Sequence, residues 1–160
     1  MENVEKIPNV RFMIVGGGYA ATKKNVIGQI EQFNLQKKFL LTGVLGNVVP
    51  ALAAFDVSVL CSDTEGMSNS VIQSIAMGKA TVVTNVGGNP EVIEDGLNGL
   101  LVPADDPKSL AAALIKLHKD SKLKKQIELQ ASKIASEKFN IFPIIVSLQN
   151  VYLDLMESKH

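Results

Sequence analysis

The chain has 160 residues, of which 46% are hydrophobic and 20% are charged. This length and composition indicate one globular domain with a sizeable core and argue against a disordered chain. Lys and Arg together number 16, as do Asp and Glu, so no net charge favours nucleic acid or an acidic membrane surface. Cys61 is the single cysteine, which excludes an internal disulfide framework and fits a reducing compartment.

The N-terminal segment, MENVEKIPN, is polar and lacks the pattern of a signal or transit peptide. No uninterrupted apolar run approaches the roughly 18 to 20 residues that a membrane-spanning helix needs. We therefore expect a cytoplasmic location, with any attachment to the inner face of the membrane made through a partner.

Short, β-rich apolar runs alternate with helical stretches along the chain. Five strands are predicted, at about Val10–Val15, Phe39–Thr42, Val57–Cys61, Ala80–Thr84 and Gly99–Val102. Strands that are apolar on both faces, with helices between them, predict a parallel sheet covered on both sides. Helix starts are predicted at Asp106 and at Asp120 or Ser121, and C-terminal helices follow from about residue 121. The fold class is therefore α/β, a single Rossmann-like doubly wound domain over residues 1–160.

The segment VGGGYAA follows the first predicted strand. Gly16, Gly18 and Ala21 match the G-x-G-x-x-A spacing of a dinucleotide-binding turn. The acidic residue expected about 20 positions later is absent, because the next strand ends at Thr42 and Gly43. The three glycines fit equally well a tight strand-to-helix turn that binds no ligand.

The segment EGMSNSVIQSIAMGK predicts a helix that begins near Ser68, Asn69 or Ser70 and ends at Met77, with Gly78 as its stop. The free N–H groups of its first turn, at the carboxyl edge of the sheet, would form an anion site.

Glu65 precedes this helix, and Gln73 lies about one turn inside it. A carboxylate beside an anion site suits hydroxyl groups on whatever molecule carries the phosphate. The alternative is an ordinary capped helix with an exposed Glu and a surface Gln. Gly87 and Gly88 form a second glycine-rich turn that could approach a ligand closely or could be only a turn. Cys61, at the end of a buried strand, is expected in the core.

Several segments together resemble a known family: FMIVGGG, the TG loop, the AAFDV strand entry, EG…AMGK, VGGNPE and NGLLVP. From about Pro8 to Phe139 they are similar, in order and spacing, to the C-terminal, donor-binding half of a family-4-type retaining GT-B glycosyltransferase (glycosyl transferases group 1). The resemblance implies a nucleotide-diphosphate sugar as donor and transfer of the sugar to an acceptor with retention at the anomeric carbon.

The resemblance also implies roles for particular residues. Glu65 matches a glutamate that contacts the sugar hydroxyls and is the candidate catalytic residue. Gln73 stands where the family has a second glutamate, which binds the ribose. The loop and helix start that meet the donor sugar and the phosphates correspond to Gly66, Met67, Ser68, Asn69 and Ser70. The base-proximal loop corresponds to Thr42, Gly43, Val44 and Leu45, and further glycine-loop contacts are expected at Gly16, Gly17, Gly87 and Gly88.

Two departures from the family pattern affect these expectations. An amide at Gln73 offers one acceptor oxygen and a donor pair where a carboxylate accepts from both ribose hydroxyls. The free energy of donor binding is therefore expected to be about 1–2 kcal/mol less favourable. The family's C-terminal half also begins with a further strand and helix, carrying a basic pair, and the 160 residues start after them.

The position of that absent strand is expected between the first and third predicted strands. Direct pairing of Val10–Val15 with Val57–Cys61 is the favoured solution, and self-association that covers the position is the rival. The expected partners are a nucleotide sugar and an N-terminal GT-B lobe or acceptor-binding partner, without which the chain is expected to be inactive. No cofactor, metal or nucleic acid is expected.

Two other function classes stay open from the sequence. One is a non-catalytic pseudoenzyme or interaction module with the same fold. The other is a dinucleotide-binding domain that uses the VGGGYAA turn.

Overall fold

The computed structural model describes residues 7–18 and 20–157. In this part of the chain the strands are β1 (Phe12–Val15), β2 (Phe39–Gly43), β3 (Val57–Leu60), β4 (Ala80–Thr84) and β5 (Leu100–Val102). The helices are α1 (Ala20–Gln32), α2 (Val49–Ala54), α3 (Asn69–Ala76), α4 (Asn89–Val92), α5 (Pro107–Lys119), α6 (Ser121–Lys138) and α7 (Ile141–Glu157). All five predicted strands are confirmed, each within two residues of its predicted bounds.

The strands form two parallel sheets. One contains β1 and β2, and the other contains β3, β4 and β5 with β4 in the middle. Val59 pairs with Val82, which in turn pairs with Leu100, so the three strands of the second sheet run in register. The α/β class with parallel strands is confirmed, whereas the expected five-stranded sheet is divided into two.

The predicted direct pairing of the first and third strands is wrong, because β1 and β3 belong to different sheets. Paired strands lie about 4.8 Å apart, so this pairing would require β1 to lie that close to β3. Each sheet instead keeps its own parallel pairing. The rival expectation, that another chain covers the position, stays a prediction.

The core surrounds β4, whose five residues are all buried. On one face, Val83 packs with residues of α3, α4 and α6, including Ile75 and Ala131. On the other face, Val82 packs with β5, α5 and α6 residues, including Leu117 and Ile127. A strand buried on both faces explains why the ATVVT run shows no alternation of polar and apolar residues.

The N-terminal part of the chain is much less well packed. Among the described residues before residue 51, Ile30 is the one buried apolar side chain. The rings of Phe12 and Phe39 stack with their centroids 4.7 Å apart and join β1 to β2. Ile14 and Leu40 on the same two strands are 38% and 55% exposed. The sheet of β1 and β2 therefore leaves apolar surface in contact with solvent.

Aspartates cap two of the C-terminal helices, as the sequence predicts. The Asp106 carboxylate accepts from the backbone N–H groups of Lys108 and Ser109, both at 3.0 Å, at the start of α5. Asp120 accepts in the same way from Lys122 and Leu123 at the start of α6. Both caps satisfy N–H groups that have no partner inside the helix.

The last helix, α7, is apolar and exposed throughout. Residues 141–156 are all exposed, among them Phe142 at 73% and Tyr152 at 61%. The stretch Ser121–Met156 contains an 18-residue window of mean hydropathy 1.3, none of it buried, that could cross a bilayer by length and composition alone. Polar residues such as Gln149 and Asn150 interrupt the apolar residues of α7, so the segment contains no long uninterrupted apolar run. The expected cytoplasmic location stays a prediction.

Candidate functional site

The loops that carry the predicted site residues all follow the carboxyl ends of strands. Gly16 follows β1, and the TGV loop (residues 42–44) lies at the end of β2. Residues 61–68 follow β3, and residues 85–88 follow β4. Ligands of open α/β sheets bind at this edge. The structure assembles these loops into two groups, one beside β1 and β2 and the other beside β3 and β4.

Glu65 lies half-buried in the loop between β3 and α3. The hydroxyl of Ser62 donates to Glu65 Oε1 at 2.7 Å. Ser62 is itself held by its backbone, since its carbonyl oxygen accepts from Thr84 Oγ1 at 2.7 Å. Ser62 thus links the Glu65 side chain to Thr84 at the end of β4. The second carboxylate oxygen of Glu65 does not accept from Ser62 and is available to another donor.

The start of α3 lacks a side-chain cap. Ser68 is its N-cap residue, as predicted, but the Ser68 side chain makes no capping hydrogen bond. The Ser68 hydroxyl is instead 2.9 Å from that of Ser70. The N–H groups of the first turn therefore receive nothing from the Ser68 side chain, which leaves a helix N-terminus suited to an anion.

The exposed face of α3 carries Asn69, Ser70 and Gln73. The opposite face carries Val71, Ser74 and Ile75, all buried. Ser74 donates to the carbonyl oxygen of Ser70 at 2.8 Å and bonds Ser58 of β3 at 2.8 Å, which fixes the helix on its sheet. Gln73 therefore lies at the surface on the same face as the first-turn residues, as its expected role requires.

Gly87 and Gly88 hold the Glu65 loop in place. The N–H of Gly88 donates to the carbonyl oxygen of Gly66 at 2.9 Å. A Cβ atom on Gly87 would overlap the carbonyl oxygen of Glu65, and one on Gly88 would overlap that of Gly66. Gly87 also has a φ of +51°. We call this contact between residues 65–66 and residues 87–88 the loop clasp.

The glycines after β1 contact the TGV loop in a similar way. Gly16 N–H donates to Gly43 O at 2.9 Å, and a Cβ atom on Gly17 would lie 2.8 Å from Val44 Cγ2. Thr42 Oγ1 donates within the same loop to Gly43 O at 2.9 Å. Val44 is 81% exposed, so the outer part of this loop is open to a ligand. Leu45, the last residue predicted near the base, is half-buried.

Sequence reasoning missed the polar residues that support the Glu65 loop. Thr84 holds Ser62, and Asn89 Nδ2 donates to Thr84 O at 2.9 Å from a fully buried position, where its Oδ1 has no partner. A threonine and an asparagine flanking GG after an apolar strand are the signal that could have revealed them. The expectation for Cys61 is wrong, because Cys61 lies just beyond β3 and is exposed.

The charge of the site is acidic. The loops 16–18, 42–47, 61–70 and 85–90 contain Asp63 and Glu65 and no Lys or Arg. Within residues 7–18 and 20–157, no three His, Cys, Asp or Glu side chains lie together as they would around a metal ion. An anion at α3 would be held mainly by backbone N–H groups.

Comparison with known proteins identifies the family. A sequence model of the family described as glycosyl transferases group 1 matches residues 1–120. The chain belongs to this family. It is 29% identical over 153 residues to the Escherichia coli UDP-Gal:alpha-D-GlcNAc-diphosphoundecaprenol alpha-1,3-galactosyltransferase, covering 96% of this chain and 39% of that protein. It is 26% identical to the N-acetyl-alpha-D-glucosaminyl L-malate synthase of Bacillus anthracis, covering 92% of this chain and 38% of that protein.

Solved structures share the fold of this glycosyltransferase family chain. Anabaena Alr3699/HepE, solved in complex with UDP, superposes with a TM-score of 0.88 at 22% identity, covering 96% of this chain and 43% of that chain. The C-terminal domain of a group 1 glycosyl transferase (LpcC) from Francisella tularensis superposes with a TM-score of 0.78 at 26% identity, covering 88% of this chain and 75% of that chain. The expected Rossmann-like GT-B fold is thus confirmed. The chain spans about two fifths of the length of the curated relatives named above.

Proposed function

We propose that this chain binds a nucleotide-diphosphate sugar at the carboxyl edge of β3 and β4 and provides the donor half of a sugar transfer with retention. The observation that carries the proposal is the start of α3, where an N-terminus without a side-chain cap lies next to the half-buried Glu65. An N–H cluster attracts phosphate oxygens, and an adjacent carboxylate accepts from sugar hydroxyls.

The proposal assigns parts to the residues around the start of α3 and to the TGV loop. Backbone N–H groups of Asn69 and Ser70 hold a phosphate, Glu65 orients the sugar, and Gln73 on the exposed face of α3 meets the ribose. The base lies against the TGV loop and Val44. The UDP bound to the Anabaena protein and the UDP-Gal named for the E. coli relative support a uridine nucleotide as the first ligand to test.

In this proposal, the acceptor site and the rest of the catalytic cleft lie outside these 160 residues. Relatives are more than twice as long as the part that this chain matches. The four loops contain no cation to balance the leaving diphosphate. We therefore propose that an N-terminal lobe or an acceptor-binding partner completes the site and that the 160-residue chain binds donor weakly.

The experiment is calorimetric titration of the chain with UDP, UDP-glucose, GDP, ADP and NAD, with amide chemical shifts recorded by NMR. The proposal predicts that nucleoside diphosphates bind and shift the amide signals of residues 66–70. Glu65→Gln should weaken UDP-glucose binding about tenfold, because the sugar loses a charge-assisted bond, and leave UDP binding nearly unchanged. Asp63→Asn, an exposed carboxylate in the same loop, is the matched control.

Other outcomes of the titration favour the alternatives. Binding of NAD alone would favour a dinucleotide-binding domain that uses the glycine turn after β1. Binding of none of the ligands would favour a non-catalytic interaction module, which the acidic loops and the amide at Gln73 support.

A further inference from the structure

Ser62 and Glu65 have the S-x-x-E spacing of a helix capping box, yet no helix begins at Ser62. In a capping box, the serine and the glutamate side chains bond backbone N–H groups at the first turn of a helix. Residues 61–68 form a loop, and α3 begins only at Asn69. The Ser62 hydroxyl instead donates to Glu65 Oε1 at 2.7 Å, so the two side chains bond each other. This bond therefore acts on the carboxylate and caps no helix.

The backbone of Ser62 is anchored to the end of β4. Thr84 Oγ1 donates to the carbonyl oxygen of Ser62 at 2.7 Å, and Thr84 is 5% exposed. The carbonyl oxygen of Thr84 in turn accepts from the buried side chain of Asn89 at 2.9 Å. Because Thr84 belongs to the strand at the centre of the core, the Ser62 hydroxyl reaches Glu65 from a fixed position.

The loop clasp fixes the backbone of Glu65 separately. Gly88 N–H donates to Gly66 O at 2.9 Å, and Gly87 lies against the carbonyl oxygen of Glu65. These contacts involve only the main chain, so they leave the side-chain torsions of Glu65 undetermined. Within the described residues, no Lys, Arg or His forms an ion pair with Glu65. The Ser62 hydroxyl is therefore the group that sets the orientation of the carboxylate.

We propose that Ser62, anchored by Thr84, is a positioning residue that holds the Glu65 carboxylate in the orientation in which its second oxygen accepts from a hydroxyl of the donor sugar. The proposal rests on the proposed function, from which it takes the contact between Glu65 and the sugar. A flexible side chain that must be immobilised on binding weakens affinity by about 2- to 12-fold. Because Ser62 immobilises Glu65 in the free chain, binding of the sugar does not incur this loss.

The first measurement needs no ligand. Three-bond NMR couplings in the free chain report whether the Glu65 side chain keeps one rotamer or averages among several. We expect one rotamer in the wild type and in Ser62→Thr, which keeps the hydroxyl, and averaging in Ser62→Ala. Ser136→Ala, which also removes a hydroxyl that donates to a carbonyl oxygen, is the matched control and should leave the Glu65 rotamer unchanged.

The second measurement is an NMR titration of each variant with UDP and with UDP-glucose. Ser62→Ala should weaken UDP-glucose binding about 2- to 12-fold and change UDP binding by less than about twofold, because UDP lacks the sugar. Thr84→Val removes the donor to the Ser62 carbonyl and should act in the same direction, whereas Thr84→Ser keeps that donor and should not. In a chain that already carries Glu65→Ala, Ser62→Ala should have no further effect.

Averaging of the Glu65 rotamers in the wild type, or a single rotamer in Ser62→Ala, would overturn the proposal. Equal weakening of UDP and UDP-glucose binding by Ser62→Ala would also overturn it, because a loop that is only destabilised affects both ligands. An effect of Ser62→Ala that persists in the Glu65→Ala chain would do the same. Binding of neither ligand by the wild type would contradict the proposed function, whereas the rotamer comparison would still confirm or overturn the positioning of Glu65 by Ser62.

Discussion

At the scale of the residue, Gln73 is the position where one functional group decides the strength of a proposed contact. It is exposed on α3 beside Asn69 and Ser70, and the side chains that hold the helix on its sheet are on the opposite face. A change in its charge therefore affects a ligand more than it affects the fold.

We predict that Gln73→Glu lowers the dissociation constant for UDP by about 5- to 30-fold, corresponding to roughly 1–2 kcal/mol, because a carboxylate accepts from both ribose hydroxyls. Titration calorimetry measures the constant, and urea unfolding should show little change in stability. Gln126→Glu, on the exposed face of α6, is the control. An unchanged dissociation constant for Gln73→Glu would mean that the residue is part of the ordinary surface.

Asp106 gives a prediction for pH. The hydroxyl and the backbone N–H of Ser109 donate to its carboxylate and lower the pKa of Asp106 below its ordinary value of 3.8. A lowered pKa in the folded state stabilises the protein above the unfolded pKa, and this contribution disappears as the pH falls through the folded pKa. Asp106→Ala should therefore lower the thermal midpoint at pH 7 and have a much smaller effect well below pH 3.8. Glu137→Ala, an exposed acidic residue on α6, should show no such dependence.

At the scale of the element, the strands were predictable and their pairing was not. The ATVVT and VSVL runs identify β4 and β3 through local residue preference, and Asp106 and Asp120 identify helix starts through a hydrogen bond to a nearby N–H. The division into two sheets depends on which strand lies next to β1, and no residue of β1 or β3 specifies that neighbour. The roles of Gly87 and Thr84 could not be predicted either, because they depend on contacts with Glu65 and Ser62 in another loop.

The loop clasp predicts a large effect of one methyl group. Gly87→Ala places a Cβ against the carbonyl oxygen of Glu65 and strains a backbone with a φ of +51°. Gly96→Ala, with a φ of +77° and nothing within 4 Å, should cost only the backbone term of roughly 1–2 kcal/mol. We expect Gly87→Ala to reduce the free energy of unfolding by clearly more, as measured in urea, and to weaken UDP-glucose binding. Equal losses for the two variants would argue against the clasp.

At the scale of the whole molecule, α6 and α7 differ in what they contribute to the fold. Ile127, Ala131 and Ala135 of α6 are buried in the core, whereas residues 141–156 are exposed. Truncation after Asn140 should therefore leave the thermal midpoint nearly unchanged. Truncation after Asp120 removes α6 and should abolish cooperative unfolding, as followed by circular dichroism. A large loss of stability on truncation after Asn140 would mean that α7 contributes to the fold.

The proposal that an N-terminal lobe or an acceptor-binding partner completes the site predicts that the isolated chain does not transfer sugar at an enzymatic rate. A cleft formed by two lobes cannot be completed by one, and the four loops lack a cation for the leaving diphosphate. A coupled assay for UDP release from UDP-sugars, with a lipid extract as the source of acceptor, measures the rate. Turnover at about 1 s⁻¹ or faster by the purified chain would contradict the prediction.

The uneven distribution of buried residues also bears on the order in which the molecule forms during translation. A ribosome completes β1, α1 and β2 before β4 and α6, yet Ile30 is the one buried apolar side chain that the described residues before residue 51 contain. The buried residues around β4 extend to Ala135, so at roughly 5–20 residues per second they emerge several seconds later. Ile14 and Leu40 are therefore in contact with solvent or a chaperone from the moment β1 and β2 emerge, and they stay exposed after the core around β4 has formed.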